Sequence, residues 1–322
     1  MDRTILILGA TGGIGGAVAR AMLARGWTVT ALVRDAARAA RAWHDGPAPR
    51  WITGDAMNPG DVMAAAQGAA VIFHGVNPQG YRDWDRLVLP MLDATLRAAR
   101  AQGARVVLPG TIYNYDAAAT PVIDAATPQN PRGRKGAIRA EMERRLADAA
   151  PDVPSLILRA GDFFGPGAQQ SWFTQALAQA PLTRIVNPGR PGVGHGWAYL
   201  PDLAEAFARL LDLPEGALAR AERLQFGGFW DHDGRQMVDM IRRAAGRPGL
   251  REYRFPWWLM RLIAPFGGFP REVVEVAPFW RHPVRLDNAR LIALLGEEPA
   301  TPIAEAVRHS LGADAYGPIP ML

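Results

Sequence analysis

A group of glycines near the start of the chain has the spacing of a phosphate-binding loop. Residues 9–15 have the sequence Gly-Ala-Thr-Gly-Gly-Ile-Gly, so that Gly9, Gly12 and Gly15 are three positions apart. An apolar run precedes this segment and a helical pattern follows it, which is the context that the motif requires. The glycines allow a tight turn and a close approach of the backbone to a pyrophosphate, and the start of a helix favours the anion. We therefore predict a dinucleotide site formed by Gly9, Thr11, Gly12, Gly13, Ile14 and Gly15.

The residue after the second apolar run indicates which dinucleotide binds. A site for NAD usually has an Asp or Glu about 20 residues past the glycines, where it binds the ribose hydroxyls. This chain has Arg34 directly after Val33. A guanidinium at that place can bind a 2′-phosphate through two parallel hydrogen bonds, so the sequence predicts NADP. The alternative is a surface arginine with no ligand.

Further cofactor contacts are expected where the third and fourth apolar runs end. Asp55 and Ala56 follow the third run, and the Asp55 carboxylate can accept a hydrogen bond from an adenine amino group. His74, Gly75 and Val76 end the fourth run, beside the expected ribose. For His74, a packed structural role is the alternative to contact with the ligand.

Three segments together resemble the extended short-chain dehydrogenase/reductases, also called the NAD-dependent epimerase/dehydratase family. Besides the glycine loop, residues 159–167 (Arg-Ala-Gly-Asp-Phe-Phe-Gly-Pro-Gly) are similar to the family's R-P-x-x-x-Y-G-P-G segment. Residues 197–204 (Trp-Ala-Tyr-Leu-Pro-Asp-Leu-Ala) are similar to its aromatic-x-x-V-x-D-V-A segment, although Asp202 is equally well interpreted as a helix N-cap. The resemblance covers nearly the whole chain and is compatible with a homodimer.

The resemblance implies a catalytic set of a Ser or Thr after the fifth strand, followed by Tyr-x-x-x-Lys on the next helix. In the family the tyrosine transfers the proton and the Ser or Thr holds the substrate oxygen. Thr111 precedes Tyr115 by four residues, as in the family, and takes the Ser/Thr position. Where Tyr-x-x-x-Lys is expected, this chain has Lys135 and Arg139, with Glu143 four residues later. Residues four apart share a helix face, so Lys135 and Arg139 are both expected to point at the active site.

Two interpretations of the Lys135 position remain open. Like charges from Arg139 and an oxidised nicotinamide would favour a neutral amine, which can act as a base. Alternatively, the pair anchors the cofactor ribose and phosphates or lies on a solvated helix face. Lys135 is the only lysine of the chain. Tyr113, two residues past Thr111, is another candidate for proton transfer, and its alternative is packing with Tyr115 in the loop.

The last third of the chain predicts a smaller domain of short helices and loops, because from about Trp230 it is rich in Trp, Phe, Pro and Arg with irregular spacing. Its aromatic walls and arginines would suit a hydrophobic or flat substrate that bears a carboxylate or phosphate. A plain domain core and a membrane-surface patch around residues 257–266 are the alternatives. His195 and Trp197 would line the pocket from the opposite side. The residues of this cap segment are Trp257, Trp258, Phe266, Phe269, Phe279 and Trp280, with Arg254, Arg261, Arg271 and Arg281.

Short apolar runs that alternate with helical patterns position these residues. The runs at 5–8, 28–33, 51–53, 71–74, 106–109 and 156–159 predict strands, and 15–25 and 87–102 are among the helices between them. This order predicts an α/β fold, a doubly wound parallel Rossmann sheet with a smaller C-terminal substrate-binding cap. We assign residues 1–160 and 195–229 to the dinucleotide-binding domain, and residues 161–194 and 230–322 to the substrate-binding domain.

Composition excludes several classes of function. The net charge of +5 comes from scattered arginines, which argues against a nucleic-acid partner and favours an anionic small molecule. The chain has no cysteine and only six scattered histidines, so no metal site is expected. There is no signal-peptide pattern and no apolar stretch of about 18 residues, so we expect a soluble cytoplasmic protein without a membrane partner.

Two functions from different classes follow. The first is an NADP-dependent oxidoreductase or epimerase-like enzyme that acts on a carbonyl or secondary alcohol of a small molecule, with Thr111, Lys135, Arg139 and Tyr113 at the reacting end. The second is a non-catalytic NADP-binding sensor or regulatory protein, similar to atypical short-chain dehydrogenase/reductases that have lost the tyrosine. A shared fold does not choose between them.

Overall fold

A computed structural model of the protein describes residues 3–44, 46–78 and 83–312. The strands are β1 (Thr4–Leu8), β2 (Thr28–Val33), β3 (Arg50–Thr53), β4 (Val71–His74), β5 (Arg105–Gly110), β6 (Val122–Ile123), β7 (Ser155–Arg159), β8 (Asp162–Phe164), β9 (Ile185–Asn187), β10 (His195–Tyr199), β11 (Ala221–Gln225), β12 (Phe229–Asp231), β13 (Glu252–Arg254) and β14 (Arg285–Leu286). The α-helices are α1 (Gly13–Ala24), α2 (Ala36–Ala42), α3 (Pro59–Ala65), α4 (Trp84–Gln102), α5 (Arg134–Ala149), α6 (Leu200–Leu211), α7 (Gln236–Ala244), α8 (Trp257–Ile263), α9 (Gly268–Val274), α10 (Ala289–Leu295) and α11 (Ile303–Leu311).

Seven parallel strands form the central sheet, in the order β3-β2-β1-β4-β5-β7-β11. The chain starts in the middle, builds one side of the sheet through β3, and then returns to build the other side from β4. The point between β1 and β4, where the direction of building reverses, is where doubly wound sheets bind dinucleotides. The predicted Rossmann sheet is therefore confirmed, and β11 is an edge strand that the prediction did not include.

Both faces of the sheet are covered, as an all-parallel sheet requires. The β1 side chains from Ile5 to Leu8 are completely buried and alternate between two cores. One core includes side chains of α1 and α6, and the other includes side chains of α3, α4 and α5. This continuous apolar run fixes β1 at the centre, so the residues that follow it lie at the middle of the sheet's carboxyl edge.

A smaller sheet lies at that carboxyl edge, with β10 between β8, which runs parallel to it, and β12, which runs antiparallel. Its aromatic core includes Phe164, Phe173, Trp197 and Trp280. The division of the chain into two domains stays a prediction. The smaller sheet contains strands from both predicted domains. Asp202 lies in the first turn of α6 and is not its N-cap, because that position is taken by Tyr199.

The cap segment at residues 253–282 is only partly a domain core. Phe279 and Trp280 are buried, whereas Trp258, Phe266 and Phe269 are 69%, 89% and 58% exposed. The interpretation as a plain core is therefore wrong for these three residues. Within the described part of the chain, no helix is long and apolar enough to cross a membrane.

Candidate active site

The loop after β1 requires glycine at the positions that the sequence singled out. Gly9 has a φ of +94°, in the region that side chains disfavour, and a Cβ there would lie 2.7 Å from the carbonyl carbon of Gly75. A Cβ on Gly15 would lie 2.2 Å from the carbonyl oxygen of Gly9. The loop therefore lies between its own helix and the segment that follows β4, and it can adopt this shape only because Gly9 and Gly15 have no side chain.

The N-terminus of α1 is prepared for an anion. Gly12 is the N-cap and has no capping side chain, and the first turn carries no acidic residue. Thr11 and Gly12 are exposed, while Gly13 packs so closely that a Cβ would lie 2.8 Å from the carbonyl oxygen of Gly167. Free amide groups and the positive end of the helix dipole favour a pyrophosphate here, so these residues fit a bound dinucleotide.

Arg34 lies directly beyond β2 and is exposed, with no ion pair or hydrogen bond to another described residue. The carboxylate of its neighbour Asp35 caps α2 by accepting from the amide of Arg38 at 2.8 Å. The end of β2 thus presents an uncommitted guanidinium beside a carboxylate that is already in use. Beyond β3, Asp55 is exposed and Ala56 half-buried, and an Asp55 oxygen accepts from the amide of Met57 at 2.9 Å.

His74 ends β4 and is buried. Thr95 donates its hydroxyl proton to the carbonyl of Met91 at 3.0 Å, so its oxygen can only accept from Nδ1 of His74, 2.8 Å away. Burial, with the charge of Arg139 as a smaller cause, lowers the pKa of His74 to about 3, which keeps the ring neutral. The ring is therefore packed and hydrogen-bonded to Thr95, and a contact between His74 and the cofactor stays a prediction. The half-buried Gly75 and Val76 carry the β4 end toward the glycine loop.

Thr111 and Tyr113 lie on the loop after β5. The Thr111 hydroxyl accepts from the amide of Tyr113 at 3.3 Å, which shapes this turn. The Tyr113 ring packs on Phe279 of the cap, with the ring centroids 5.2 Å apart. A Cβ on Gly136 would lie 2.1 Å from the carbonyl oxygen of Tyr113, so the absence of a side chain there lets α5 approach this loop.

Tyr115 is the other tyrosine of the loop, and it is almost completely buried. Burial raises its pKa to about 12, so its phenol stays protonated. The guanidinium of Arg159 lies 5.6 Å from its ring centre. Tyr115 is therefore a packing residue, as the structural alternative expected.

Lys135 is only 1% exposed, so the alternative of a solvated helix face is wrong. Its ammonium donates to the Glu272 carboxylate at 2.5 Å and to the Glu272 backbone carbonyl at 3.0 Å, and it lies 3.6 Å from the Glu275 carboxylate. Both of these side-chain partners are carboxylates, one on α9 and one on the residue after that helix. These carboxylates oppose the effect of the like charges on which the base hypothesis depends, and the role of Lys135 as a base stays a prediction.

Arg139 lies one helical turn further and has different neighbours. Its Nη2 is 3.4 Å from the Asn77 amide oxygen, and its guanidinium lies 5.1 Å from the ring centre of Trp84. Asn77 follows β4, so Arg139 lies beside the segment predicted to meet the cofactor ribose. The two residues leave the same face of α5, but Lys135 contacts the cap and Arg139 contacts the Rossmann domain.

A buried ion pair fixes α5 against the sheet. Both carboxylate oxygens of Glu143 accept from Arg159, at 3.0 Å from Nε and 2.5 Å from Nη2. The amides of Asn114 and Gln129 donate to the same carboxylate, at 2.9 and 2.6 Å. This network orients the helix that carries Lys135 and Arg139.

A cavity of about 110 Å³ opens at the carboxyl edge of β5, β7 and β11. Its wall includes Ile112, which follows Thr111, and His195 of β10. Nε2 of His195 lies 2.7 Å from the Asp162 carboxylate. Trp197, which was also expected there, is buried in the core of the smaller sheet. Among the described residues, no group of three or more acidic or histidine side chains could hold a metal ion.

Sequence reasoning did not find Glu272, Glu275 or Asp162. The sequence offers only faint signals for them. The spacing of Glu272 and Glu275 places two carboxylates close together on or beside a short helix. Asp162 lies inside the 159–167 motif, but its partner His195 is 33 residues further along the chain.

Comparisons with known proteins support the prediction that the first half of the chain binds a nicotinamide dinucleotide. Residues 9–161 match a family model described as NAD(P)H-binding. These residues are therefore similar to NAD(P)H-binding domains, and the sheet to which they contribute has the Rossmann strand order. A 3-diazoavenalumate denitrifying reductase from a Streptomyces species is 32% identical over 180 residues, which cover 51% of this chain and 57% of that protein. The aligned region thus spans little more than half of that relative.

Solved structures that are similar to this chain include nucleotide-sugar epimerases and a dehydrogenase. UDP-glucose 4-epimerase from Bifidobacterium longum, solved with NAD⁺ and UDP, has a TM-score of 0.75 at 15% identity over 97% of this chain and all of its own. L-threonine 3-dehydrogenase from Trypanosoma brucei has a TM-score of 0.74 at 17% identity over 97% of this chain and 96% of its own. At these identities the likeness establishes the fold.

Proposed function

We propose that the protein is an NADP-dependent oxidoreductase, or an epimerase-like enzyme of the same chemistry, which acts on a carbonyl or secondary alcohol of a small molecule. The observation that carries the proposal is the glycine loop at the uncapped start of α1, at the switch point of the sheet, with Arg34 uncommitted at the end of β2. A bound nicotinamide would supply or accept the hydride. We further propose a cytoplasmic location, a homodimer, and an anionic, partly hydrophobic substrate.

The preference for NADP rests on the charges at the end of β2. A guanidinium favours a phosphate, whereas a ribose with free hydroxyls needs an acceptor. The Asp35 carboxylate is already engaged in capping α2, and this leaves Arg34 as the recognition group. Asp55 and Ala56 would contact the adenine side, and Gly75 and Val76 the ribose side.

At the reacting end, Thr111 would hold the substrate oxygen through its hydroxyl. Tyr113 or Lys135 would transfer the proton, and the ion pairs of Lys135 favour Tyr113 for this role. Arg139 would bind the cofactor ribose, since it already contacts the segment after β4. In this arrangement Lys135 is a positioning residue that joins α5 to the cap.

The reductase from Streptomyces supports a second candidate function, the reductive removal of nitrogen from a diazo compound. When hydride adds to a diazonium carbon, N₂ leaves with the electron pair of the carbon–nitrogen bond, and no proton donor is needed at the reacting atom. A site without the family's Tyr-x-x-x-Lys pair can support such a reaction. The same screen of substrates tests both candidates.

The test of the cofactor is a fluorescence titration with NADPH and NADH on the wild-type protein and on Arg34→Ala. Hydrogen bonds to a charged group contribute about 1.5–3 kcal/mol, so Arg34→Ala should weaken NADPH binding by roughly ten- to 150-fold and leave NADH binding unchanged. Arg41→Ala, at an exposed position near the end of α2, is the control. Equal losses for both cofactors would contradict the role of Arg34.

Turnover decides between an enzyme and the non-catalytic alternative. NADPH oxidation is followed with aldehydes, ketones, nucleotide sugars and diazo compounds. Tight NADPH binding together with turnover supports the enzyme. Tight binding with no turnover across this panel would favour the sensor or regulatory protein.

A further inference from the structure

The cavity beside His195 lies on the part of the sheet edge that the dinucleotide is not expected to cover. Its lining includes Ile112 after β5, Gly161 after β7 and Gly227 after β11. The glycine loop and Arg34 follow β1 and β2, on the other side of the switch point. In doubly wound sheets the ligand crosses the edge at this point, so the cavity faces the substrate end of the site.

His195 is held rigidly in the wall of this cavity. One face of its ring stacks on Trp280, with the centroids 3.8 Å apart and the planes 11° apart. Its Nε2 lies 2.7 Å from Oδ2 of Asp162. Asp231, opposite His195 on β12, uses its carboxylate to accept from the amides at the start of α7, and it therefore does not compete for the imidazole.

These contacts define which ring nitrogen is available. A carboxylate only accepts hydrogen bonds, so Nε2 carries the proton that is donated to Asp162. In the tautomer that carries its proton on Nε2, Nδ1 has a lone pair, and no hydrogen bond joins Nδ1 to another residue in the described part of the chain. Because His195 lines the cavity, its available group is a hydrogen-bond acceptor, and it suits a ligand that donates.

The size and walls of the cavity limit the ligand. A volume of about 110 Å³ is well below the roughly 300 Å³ of pockets for drug-sized ligands, and it is close to the roughly 150 Å³ of a cavity that holds benzene. Trp230 and Phe279 provide aromatic walls and Ile112 and Leu286 aliphatic ones, while most of the remaining lining surface is polar and includes Asn288. Arg285, the charged residue on the cavity lining, lies with its guanidinium 5.5 Å from the ring centre of Trp230.

We propose that this cavity binds a small hydroxylated aromatic ring, a phenol, whose hydroxyl donates to Nδ1 of His195. Asp162 fixes the imidazole as an acceptor, and Trp280 fixes its plane. The inference rests on the proposed function, because it takes the cavity as the substrate subsite of the NADP site. It gives the substrate class as a phenolic compound rather than a nucleotide sugar, because a cavity of about 110 Å³ is too small for a nucleoside diphosphate.

The test compares phenol with fluorobenzene, a ring of nearly the same shape without a donor. Dissociation constants are measured by NMR for wild type, His195→Phe and Asp162→Asn. A net hydrogen bond corresponds to roughly a three- to tenfold difference in affinity, so the preference for phenol over fluorobenzene should fall by that factor in His195→Phe and also decrease in Asp162→Asn. NADPH affinity should be the same in all three proteins.

A second measurement does not depend on the variants folding. The ¹⁵N shifts of His195 in the wild-type protein should show an unprotonated Nδ1 that moves toward a hydrogen-bonded value with phenol and not with fluorobenzene. A protonated Nδ1 in the free protein, or a phenol preference that is absent or survives in His195→Phe, would overturn the inference. If the inference about phenol fails but the protein still turns over substrate with NADPH, the proposed function stands. If the protein binds phenol selectively but does not bind NADPH, the proposed function is overturned instead.

Discussion

The substitution Lys135→Met distinguishes a lysine that transfers a proton from one that anchors the cap. Methionine keeps most of the length and apolar volume of the lysine stem and removes the ammonium. In the structure this ammonium contacts the carboxylates of Glu272 and Glu275 and one backbone carbonyl. If Lys135 is an anchor, its loss should act first on stability.

The size of the effect follows from the burial of the partners. Breaking a buried ion pair by removing one side costs about 3–5 kcal/mol, because the other charge stays buried. The Glu272 and Glu275 side chains are 14% and 23% exposed, and Arg134 still lies 3.2 Å from Glu272. We therefore expect a loss of about 2–3 kcal/mol in the free energy of unfolding, below the range for fully buried partners. The double variant Lys135→Met, Glu272→Gln should recover part of this loss.

The assay is urea unfolding followed by tryptophan fluorescence, together with turnover of the best substrate from the screen. Arg134→Met is the matched control, because it removes a cation from the same carboxylate at a position that is 38% exposed. Exposed pairs contribute about 0–1 kcal/mol, so the control should change stability little. An unfolding free energy within about 0.5 kcal/mol of wild type, together with a loss of turnover of about 10² or more, would refute the anchor and restore Lys135 as the acid or base.

Two further predictions concern the Rossmann domain. The pKa of His74 is lowered to about 3, so below about pH 6.5 the unfolded chain takes up a proton that the folded protein does not. The free energy of unfolding of the wild type should therefore fall by up to about 1.4 kcal/mol per pH unit from pH 6.5 toward 3. The variant His74→Asn should remove this contribution of His74 to the slope, as measured by urea unfolding. Gly15→Ala places a methyl group 2.2 Å from the backbone oxygen of Gly9, so it should cost about 1–3 kcal/mol and abolish NADPH binding by titration. Gly249→Ala, where a Cβ meets no atom within 4 Å, should change neither.

The dinucleotide half of the site could be predicted from sequence because its determinants are local. The strands at the centre of a parallel sheet are covered on both faces, and they therefore have continuous apolar runs such as residues 5–8. The glycine loop is also complete within seven residues. By contrast, β11 (Ala-Glu-Arg-Leu-Gln) was missed, because an edge strand can carry charges such as Glu222 and Arg223 and lacks that apolar signal.

The surroundings of Lys135 could not be predicted, because its partners lie far away in the chain. Spacing placed Lys135 and Arg139 on one helix face, and α5 confirms this arrangement. Glu272 and Glu275 are about 140 residues further on, and only the packing of the cap brings them to the ammonium. The spacing of Lys135 and Arg139 predicted their shared helix face, whereas the electrostatic environment of Lys135 depends on tertiary contacts that the spacing does not show.

This difference determines what the missing tyrosine means for the chemistry. If the carboxylates of Glu272 and Glu275 balance the charge of Lys135, α5 contributes an anchor and a cofactor-binding arginine. It then contributes no group that replaces the proton-donating tyrosine of the short-chain dehydrogenase/reductases. A carbonyl reduction must then obtain its proton from the β5 loop, where Thr111 and Tyr113 lie, whereas hydride addition to a diazonium carbon releases N₂ and needs no proton donor at that carbon. The acceptor role that we propose for His195 agrees with this, because a histidine whose proton is directed at Asp162 orients a hydroxyl and does not protonate a carbonyl. The proposed function thus gives α5 the role of positioning the ligands and makes the chemistry depend on the β5 loop and on the substrate itself.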